Sequence, residues 1–359
     1  MDTLIIGLAQ SGKSTIFSAL TRVFTQSGRG LSVGMTKVPD VRLEKLTSMY
    51  NPRRVVPAEV KYVDTPTIGD ITKQGSGVSG EVINAIQGAD ALLHVVRYFD
   101  EEDLGDEAMT SSELAVATLD LELITIDIGI LERRSLRIKD MLKAARNEER
   151  IRLNQEDESI KVFQNYLEEE KPIRDVALSE SEKVMVSNYN LLTAIPMLLV
   201  FNISEDQAKN IEELELKLKK RFSQDNREVV ALAGQIEMEL AQLEGDDEKM
   251  LRKEYGIYET GSDRVAKASF RLLGLISFFT VGEDEVRAWT VNHNSLTTKA
   301  AGRIHSDIER GFIRAEVISY DDFLEAGNMN QAKKNGTFRT EGKDYSVKDG
   351  DIINFLFNI

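Results

Sequence analysis

The nine residues GLAQSGKST, Gly7–Thr15, decide the fold. They fit the spacing G-x-x-x-x-G-K-[ST], a glycine-rich turn that leaves a strand and opens a helix. The flanks agree. TLIIGL reads as a short buried strand, and a helix is expected from Lys13 to about Phe24. Gly7 and Gly12 let the backbone wrap tightly and present N–H groups to phosphate oxygens. The helix N-terminus adds partial positive charge. Lys13 is expected to reach the β- and γ-phosphates, and the Ser14 hydroxyl to ligate Mg²⁺. Gly7, Gln10, Ser11, Gly12, Lys13, Ser14 and Thr15 are therefore the expected phosphate cradle. The plainer alternative is a glycine turn with a Ser/Thr cap.

Outward from this loop, the run VKYVD ends in Asp64, where a carboxylate is placed to hold Mg²⁺. Most GTPases continue as Asp-x-x-Gly, whereas here Asp64 is followed by Thr65, Pro66 and Thr67. A lone Asp at a strand end also serves as a helix cap. Further on, PMLLVFN runs into NISE, so Asn202 is followed by Ile203, Ser204 and Glu205. A guanine site normally reads Asn-Lys-x-Asp. Glu205 is one methylene too long to repeat the two-point contact of that Asp, and a site built on such a pair discriminates strongly. Adenine is expected over guanine. In the alternative, NISE only begins the next helix, with Ser204 or Asn202 as its cap.

The strands alternate with helices. Besides those above, ADALLHVVRYF contains a strand expected over Ala91–Phe99, and EVVALA (Glu228–Ala233) is another. That alternation predicts an α/β doubly wound, mostly parallel sheet. From Ser112 to Leu191 the texture changes. Leu114, Leu121, Ile128 and Leu142 form one heptad seam, and Ala117, Ile124, Leu131 and Ile138 form a second. ARNEERIRLNQEDES is expected to hold a turn, and Ile160, Phe163 and Leu167 a returning helix, which gives an antiparallel helical arm. After Leu275, short strands surround one helical stretch, TTKAAGRIHSDIERG, in a small α+β domain. The expected division is a nucleotide domain of residues 1–111 and 192–275, an arm of residues 112–191, and a C-terminal domain of residues 276–359.

The 359 residues contain no cysteine and three histidines, which excludes disulfides and thiolate chemistry and disfavours a histidine-rich metal site. No apolar run approaches the ~20 residues of a membrane span, and the N-terminus lacks a basic signal region. The net charge of −15 argues against broad nucleic-acid binding, though a local basic patch is compatible with it. His94 reads as a core residue, His305 as structural or partner-binding, and Trp289 as packing. The acidic runs Asp100–Asp103 and Glu168–Glu170 read as solvated faces, and GSGVSG (Gly75–Gly80) as a loop in the second switch position.

Together, GLAQSGKSTIFSALT, VPDVRLEKL, KYVDTP, LERR, LLTAIPMLLVFNISE, IEMELAQLE and FFTVGEDEVRAWTV resemble the YchF / Obg-like ATPase family. The segments AAGRIHSDIERGFIRAEVISYDDFLEAG and EGKDYSVKDGDIINFLFNI extend the resemblance to the end of the chain. It implies a P-loop NTPase fold, an inserted coiled-coil arm and a C-terminal TGS domain with a β-grasp fold. It also implies ATP preference with Mg²⁺, K⁺ as a further cofactor, and a site without the usual water-positioning Gln. By position, Asn202, Ile203 and Glu205, with the backbone near Ala233, Gly234 and Gln235, would surround the base. The implied setting is the cytoplasm, near the ribosome, in translation or stress response. RNA or ribosome contact would run through the TGS domain and the arm, with no membrane and no sequence-specific DNA partner. Two segments depart from the family pattern. Thr67 stands where Gly is expected, and the first-switch segment TQSGRGLSVGM is short and lacks the family's threonine motif. The expected activity is ATP binding with weak hydrolysis. A non-catalytic interaction module and a GTPase are the alternatives.

Overall fold

The computed structural model describes residues 1–24, 31–65, 80–99, 110–243 and 245–358. The chain begins with β1 (Asp2–Ile6), α1 (Lys13–Thr21), β2 (Ser32–Lys37), α2 (Val41–Tyr50), β3 (Arg54–Val56) and β4 (Glu59–Asp64). It continues through α3 (Gly80–Gln87), β5 (Ala91–Arg97), α4 (Ser111–Leu142), α5 (Asn147–Glu168), α6 (Glu180–Tyr189) and β6 (Met197–Asn202). Next come α7 (Ile211–Phe222), β7 (Arg227–Leu232), α8 (Gly234–Leu240), α9 (Asp246–Glu254) and α10 (Gly261–Leu272). The C-terminal part holds β8 (Leu275–Val281), β9 (Glu285–Asn292), α11 (Thr297–Ile304), α12 (Ser306–Arg310) and β10 (Phe312–Ile318). It closes with α13 (Tyr320–Ala326), α14 (Met329–Asn335), β11 (Arg339–Glu341) and β12 (Ile352–Phe357). Among the described residues no helix is long and apolar enough to cross a membrane.

Two compact units emerge: residues 1–34 with 61–265, and residues 35–60 with 266–359. Residues 35–60, expected in the nucleotide domain, group instead with the C-terminal residues. The short strands β2, which straddles the boundary at residue 34, and β3, which lies within 35–60, are not legible in the sequence because neither is an apolar run. Val33 and Met35 are half exposed, and β3 buries no residue fully.

In the first unit a six-stranded sheet runs β2-β4-β1-β5-β6-β7. The strands from β4 to β7 in that order are mutually parallel. After β1 the chain goes to β4 on one side and then to β5 on the other. The strand order therefore reverses about β1, and a crevice is expected above its carboxyl end. The strands are buried on both faces, so they read as continuous apolar runs.

α4 has 32 residues and is about 48 Å long. Thr110 and Glu113 form a reciprocal capping box at its start. The first half lies on the sheet through Val116, Leu119 and Leu123. The second half pairs with α5 through Ile124, Leu131 and Ile138 against Leu153, Ile160, Phe163 and Leu167. The second predicted seam thus holds from Ile124 onward. The first holds in part: Ile128 and Leu142 pack partly buried against the same cluster, whereas Leu114 is 59 % exposed and Leu121 40 %. A helix lying on a sheet buries one 3.6-residue stripe, and these two leucines fall outside it. The expected turn is also shorter, because α5 already begins at Asn147.

The arm is fastened to the sheet by buried polar contacts. The Asp127 carboxylate accepts from Leu192 N, Thr193 N and Thr193 Oγ1 at 2.9, 2.8 and 2.6 Å. Asp120 accepts from Arg174 and from Arg227, the latter at 3.0 Å.

The second unit's sheet runs β11-β10-β12-β8-β9-β3. The hairpins are antiparallel, and β12 pairs with β8 in parallel. With α11 packed on β9 and β10, this is a β-grasp arrangement. β3 adds a parallel strand beside β9, and α2 packs on β8 and β9. The predicted single helix over Thr297–Gly311 breaks at His305, whose Nδ1 accepts from Asp307 N and so caps α12. Trp289 stacks on Phe278 and donates from Nε1 to Thr280 Oγ1, a packing role.

Candidate functional site

The loop after β1 has the strained backbone its sequence demands. Gly12 has φ 92° and Gln10, a non-glycine, φ 62°. Gly7, Ser11 and Lys13 are buried, whereas Gln10 and Ser14 are exposed. Thr15 follows in the first turn of α1, half buried. The Lys13 ammonium folds over the loop, donating to Gly7 O at 3.2 Å and Leu8 O at 3.4 Å. The Ser11 hydroxyl is buried with no hydrogen-bond partner among the described residues.

β4 brings Asp64 level with Ile5 at the carboxyl edge of β1. There the Ser14 hydroxyl donates to Asp64 Oδ2 at 3.1 Å. Asp64 Oδ1 is buried without a partner among the described residues. Burial raises the Asp64 pKa above the usual carboxylate range, against the opposing pull of Ser14 and Lys13. An orphaned carboxylate oxygen beside a serine hydroxyl is the oxygen donor set that Mg²⁺ takes. The residues present fit such an ion. Next to Asp64, the buried Thr65 hydroxyl donates to Ile5 O at 2.7 Å and holds this strand end in place. No residue pattern signals that tie, because its acceptor is a main-chain atom.

Asn202 is 2 % exposed at the end of β6. Its Nδ2 donates to Ser11 O at 3.0 Å, and its Oδ1 accepts from Gly234 N at 3.1 Å. A Cβ on Gly12 would lie 2.2 Å from Asn202 Nδ2, and one on Gly234 2.7 Å from its Oδ1. Asn202 braces the phosphate loop against the start of α8, with one N–H left over. Ile203 is also 2 % exposed and packs in the core beneath the sheet, so its side chain is spent on packing. Glu205 is exposed and precedes a 3-10 turn, Asp206–Asn210. Ser204 N donates to Gln207 Oε1 at 2.9 Å, so NISE does open a short helical turn, with Ser204 rather than Asn202 in the local bonding. Ala233 and Gly234 are buried and Gln235 is exposed.

His94 lies in the middle of β5, fully buried, with both ring nitrogens unpartnered among the described residues. Burial, then the nearby Arg174, Arg227 and Lys13 charges, push its pKa down to about 3. It is a neutral core residue. Thr67 with the rest of Pro66–Asp70, Gly75–Ser79, Asp100–Asp103 and the first-switch residues 25–30 lie outside the described residues.

Comparison with known proteins covers both units. The family model described as "50S ribosome-binding GTPase" matches residues 2–130. The YchF-GTPase C-terminal model, described as a protein of unknown function, matches residues 275–358. The chain is 38 % identical to the "Ribosome-binding ATPase YchF" of Bacillus subtilis, covering 99 % of this chain and 98 % of the relative. It is 34 % identical to the protein of the same name from Haemophilus influenzae, with the same coverage. The solved structure of the Schizosaccharomyces pombe YchF GTPase superposes with a TM-score of 0.81 at 25 % identity, over 99 % of this chain and 97 % of that one.

Proposed function

The chain belongs to the YchF family, and on that footing we propose that it is a cytoplasmic, Mg²⁺-dependent ATP-binding protein that hydrolyses ATP slowly and associates with the ribosome. The observation that carries the nucleotide part is the group at the carboxyl end of β1. Lys13, Ser14 and Asp64 converge there, with Asp64 Oδ1 buried and unpartnered among the described residues and Ser14 Oγ 3.1 Å from Oδ2. Residues Gly7 and Gln10 to Thr15 hold the phosphate chain through main-chain N–H groups, and Lys13 neutralises it. Ser14 and Asp64 hold Mg²⁺, which when bound offsets the charge of the phosphate oxygens. Asn202 keeps the loop in register while Glu205 and the main chain of Ile203 and of Ala233–Gln235 border the base. With Ile203 in the core and no Asp at position 205, the two-point guanine contact is missing, which supports ATP over GTP. No side chain among these is a general base. Turnover would rest on positioning and electrostatics, and slow hydrolysis accords with that. By family resemblance K⁺ assists.

Side-by-side calorimetric titration with ATP and GTP, followed by turnover in K⁺ and Na⁺ buffers, tests this reading. ATP is expected to bind at least ten-fold more tightly than GTP, and Lys13→Ala to weaken ATP binding at least ten-fold. Tighter GTP binding, or unchanged ATP affinity in Lys13→Ala, would overturn it.

A further inference from the structure

Four side chains of alternating charge run from the end of the phosphate-loop helix to the helix beside the expected base. Arg22 ends α1 in the left-handed conformation, φ 56°, and its Nη2 donates to both oxygens of Glu248 at 3.0 and 2.8 Å. Glu248, in the first turn of α9, accepts in turn from Arg252 Nε at 2.9 Å. Arg252 Nη1 donates to Glu237 Oε2 on α8 at 3.0 Å. Burial deepens along the line, from Arg22 and Glu248 at 50 and 12 % side-chain exposure to Arg252 and Glu237 at 10 and 4 %. Arg252 is the one buried residue of α9. The start of α10 also presses on the Glu237 carboxylate, since a Cβ on Gly261 would lie 2.9 Å from its Cδ.

Stability alone gives little reason for such a line. A buried ion pair carries a desolvation cost that an apolar pair of the same volume avoids. What it adds is direction, because a guanidinium fork fixes both the distance and the angle of the groups that it joins. Glu237 stands three residues after Gly234, on the same side of α8. Gly234 N is held by Asn202, and Glu237 by Arg252. Two fixed points one turn apart set the rotation of α8 about its axis and its position along α1, on which it packs. The stretch fixed in this way begins with Ala233, Gly234 and Gln235, the main chain assigned above to the border of the base.

We propose that Arg252 is a positioning residue of the nucleotide site. Through Glu237 it sets the rotation of α8, and through Glu248 and Arg22 it ties α8 to the helix that starts at Lys13. This rests on the nucleotide reading above. The test is calorimetry of the full chain with ATP, GTP and Mg²⁺ tripolyphosphate, which meets only the phosphate loop, beside urea denaturation of the unliganded protein. R252M is expected to weaken ATP binding about ten-fold and to leave tripolyphosphate within about two-fold of the parent. It also strands the buried Glu237 carboxylate, so its urea midpoint falls. The double variant E237M/R252M removes both charges and fills their volume. Its midpoint is expected to return to the parent value while ATP stays about ten-fold weaker. Recovery of midpoint and ATP affinity together would make the pair merely structural and overturn the proposal. An equal loss of ATP and tripolyphosphate in R252M would do the same. Should neither variant fold, R252K decides. Lysine keeps the charge without the fork, so ATP should weaken about three-fold with tripolyphosphate unmoved, and parent-like ATP binding would overturn the proposal. A parent that binds neither nucleotide strikes the nucleotide reading and this proposal with it. A parent that prefers GTP strikes only the base preference, and the same variants are then read on GTP.

Discussion

Asn202 joins two loops that lie 191 and 32 residues from it in sequence, at Ser11 and Gly234. Its neighbours Gly12 and Gly234 are glycines partly because the amide sits where their Cβ atoms would be. His94 has the opposite character, a polar ring with nothing to bond. With its pKa at about 3 in the folded chain and an ordinary value of 6.5, it stays neutral when folded but gains a proton in the unfolded chain. Its contribution is intact above pH 6.5 and is lost as pH falls towards 3, by about 2 kcal/mol at pH 5. His94→Leu removes that loss. Urea denaturation at pH 7 and pH 5 should show the drop in unfolding free energy shrink by about 2 kcal/mol. An unchanged drop would contradict the assignment. Asp127 pulls the other way and is untouched by this variant. Burial pushes its pKa up to about 6, so its contribution is present below the ordinary carboxylate range and fades as pH rises through 6. The phosphate-loop residues and Asp64 were legible in the sequence because chemistry fixes both residue type and spacing. The bracing role of Asn202 was not, since its partners are main-chain atoms on distant loops and carry no residue signature.

α4 serves two cores at once, and its sequence shows only one of them plainly. The heptad rule fits where a helix faces a helix, at Ile124, Leu131 and Ile138, all buried against α5. Nearer the start the partner is a sheet, and the buried stripe moves to Val116, Leu119 and Leu123. Two leucines ten residues apart therefore differ sharply in consequence. Leu131→Ala opens a cavity in the arm and should cost about 2–5 kcal/mol. Leu121→Ala, at a 40 % exposed position, should cost under about 1 kcal/mol. Urea denaturation of both variants checks the contrast, and equal losses would refute the two-core description. The strands β1, β4, β5, β6 and β7 were readable because burial on both faces leaves an uninterrupted apolar run. β2 and β3 were not, for they are short and partly exposed.

The chain enters its second unit twice, at residues 35–60 and again from 266. Nothing local in the sequence marks the first visit, and the GTPase family model runs through it without a break. Its allegiance comes from contacts more than 200 residues away. Arg42 bonds Asp349 at 2.8 Å and lies over the Phe279 ring, and Tyr50 stacks on Phe323. Val38, Leu43 and Leu46 are buried in the complete chain. Ending the protein after residue 275 strips α2 and β3 of nearly all of this company. The truncated chain is expected to bind a hydrophobic dye strongly and to self-associate in sedimentation. A monodisperse product without dye binding would contradict the grouping.

The same discontinuity sets a clock during synthesis. At ~5–20 residues per second, the roughly 200 residues between the two visits take on the order of 10–40 s to make. Throughout that interval Leu43, Leu46 and Tyr50 are outside the peptidyl-transferase centre without the strands that will cover them. The first unit can close over its parallel sheet in the meantime, but α2 cannot finish folding until the last ninety or so residues have been translated. A newborn chain of this protein therefore carries an uncovered amphipathic helix for most of its time on the ribosome; slowed translation lengthens that exposure, and a scarcity of chaperones leaves it unshielded.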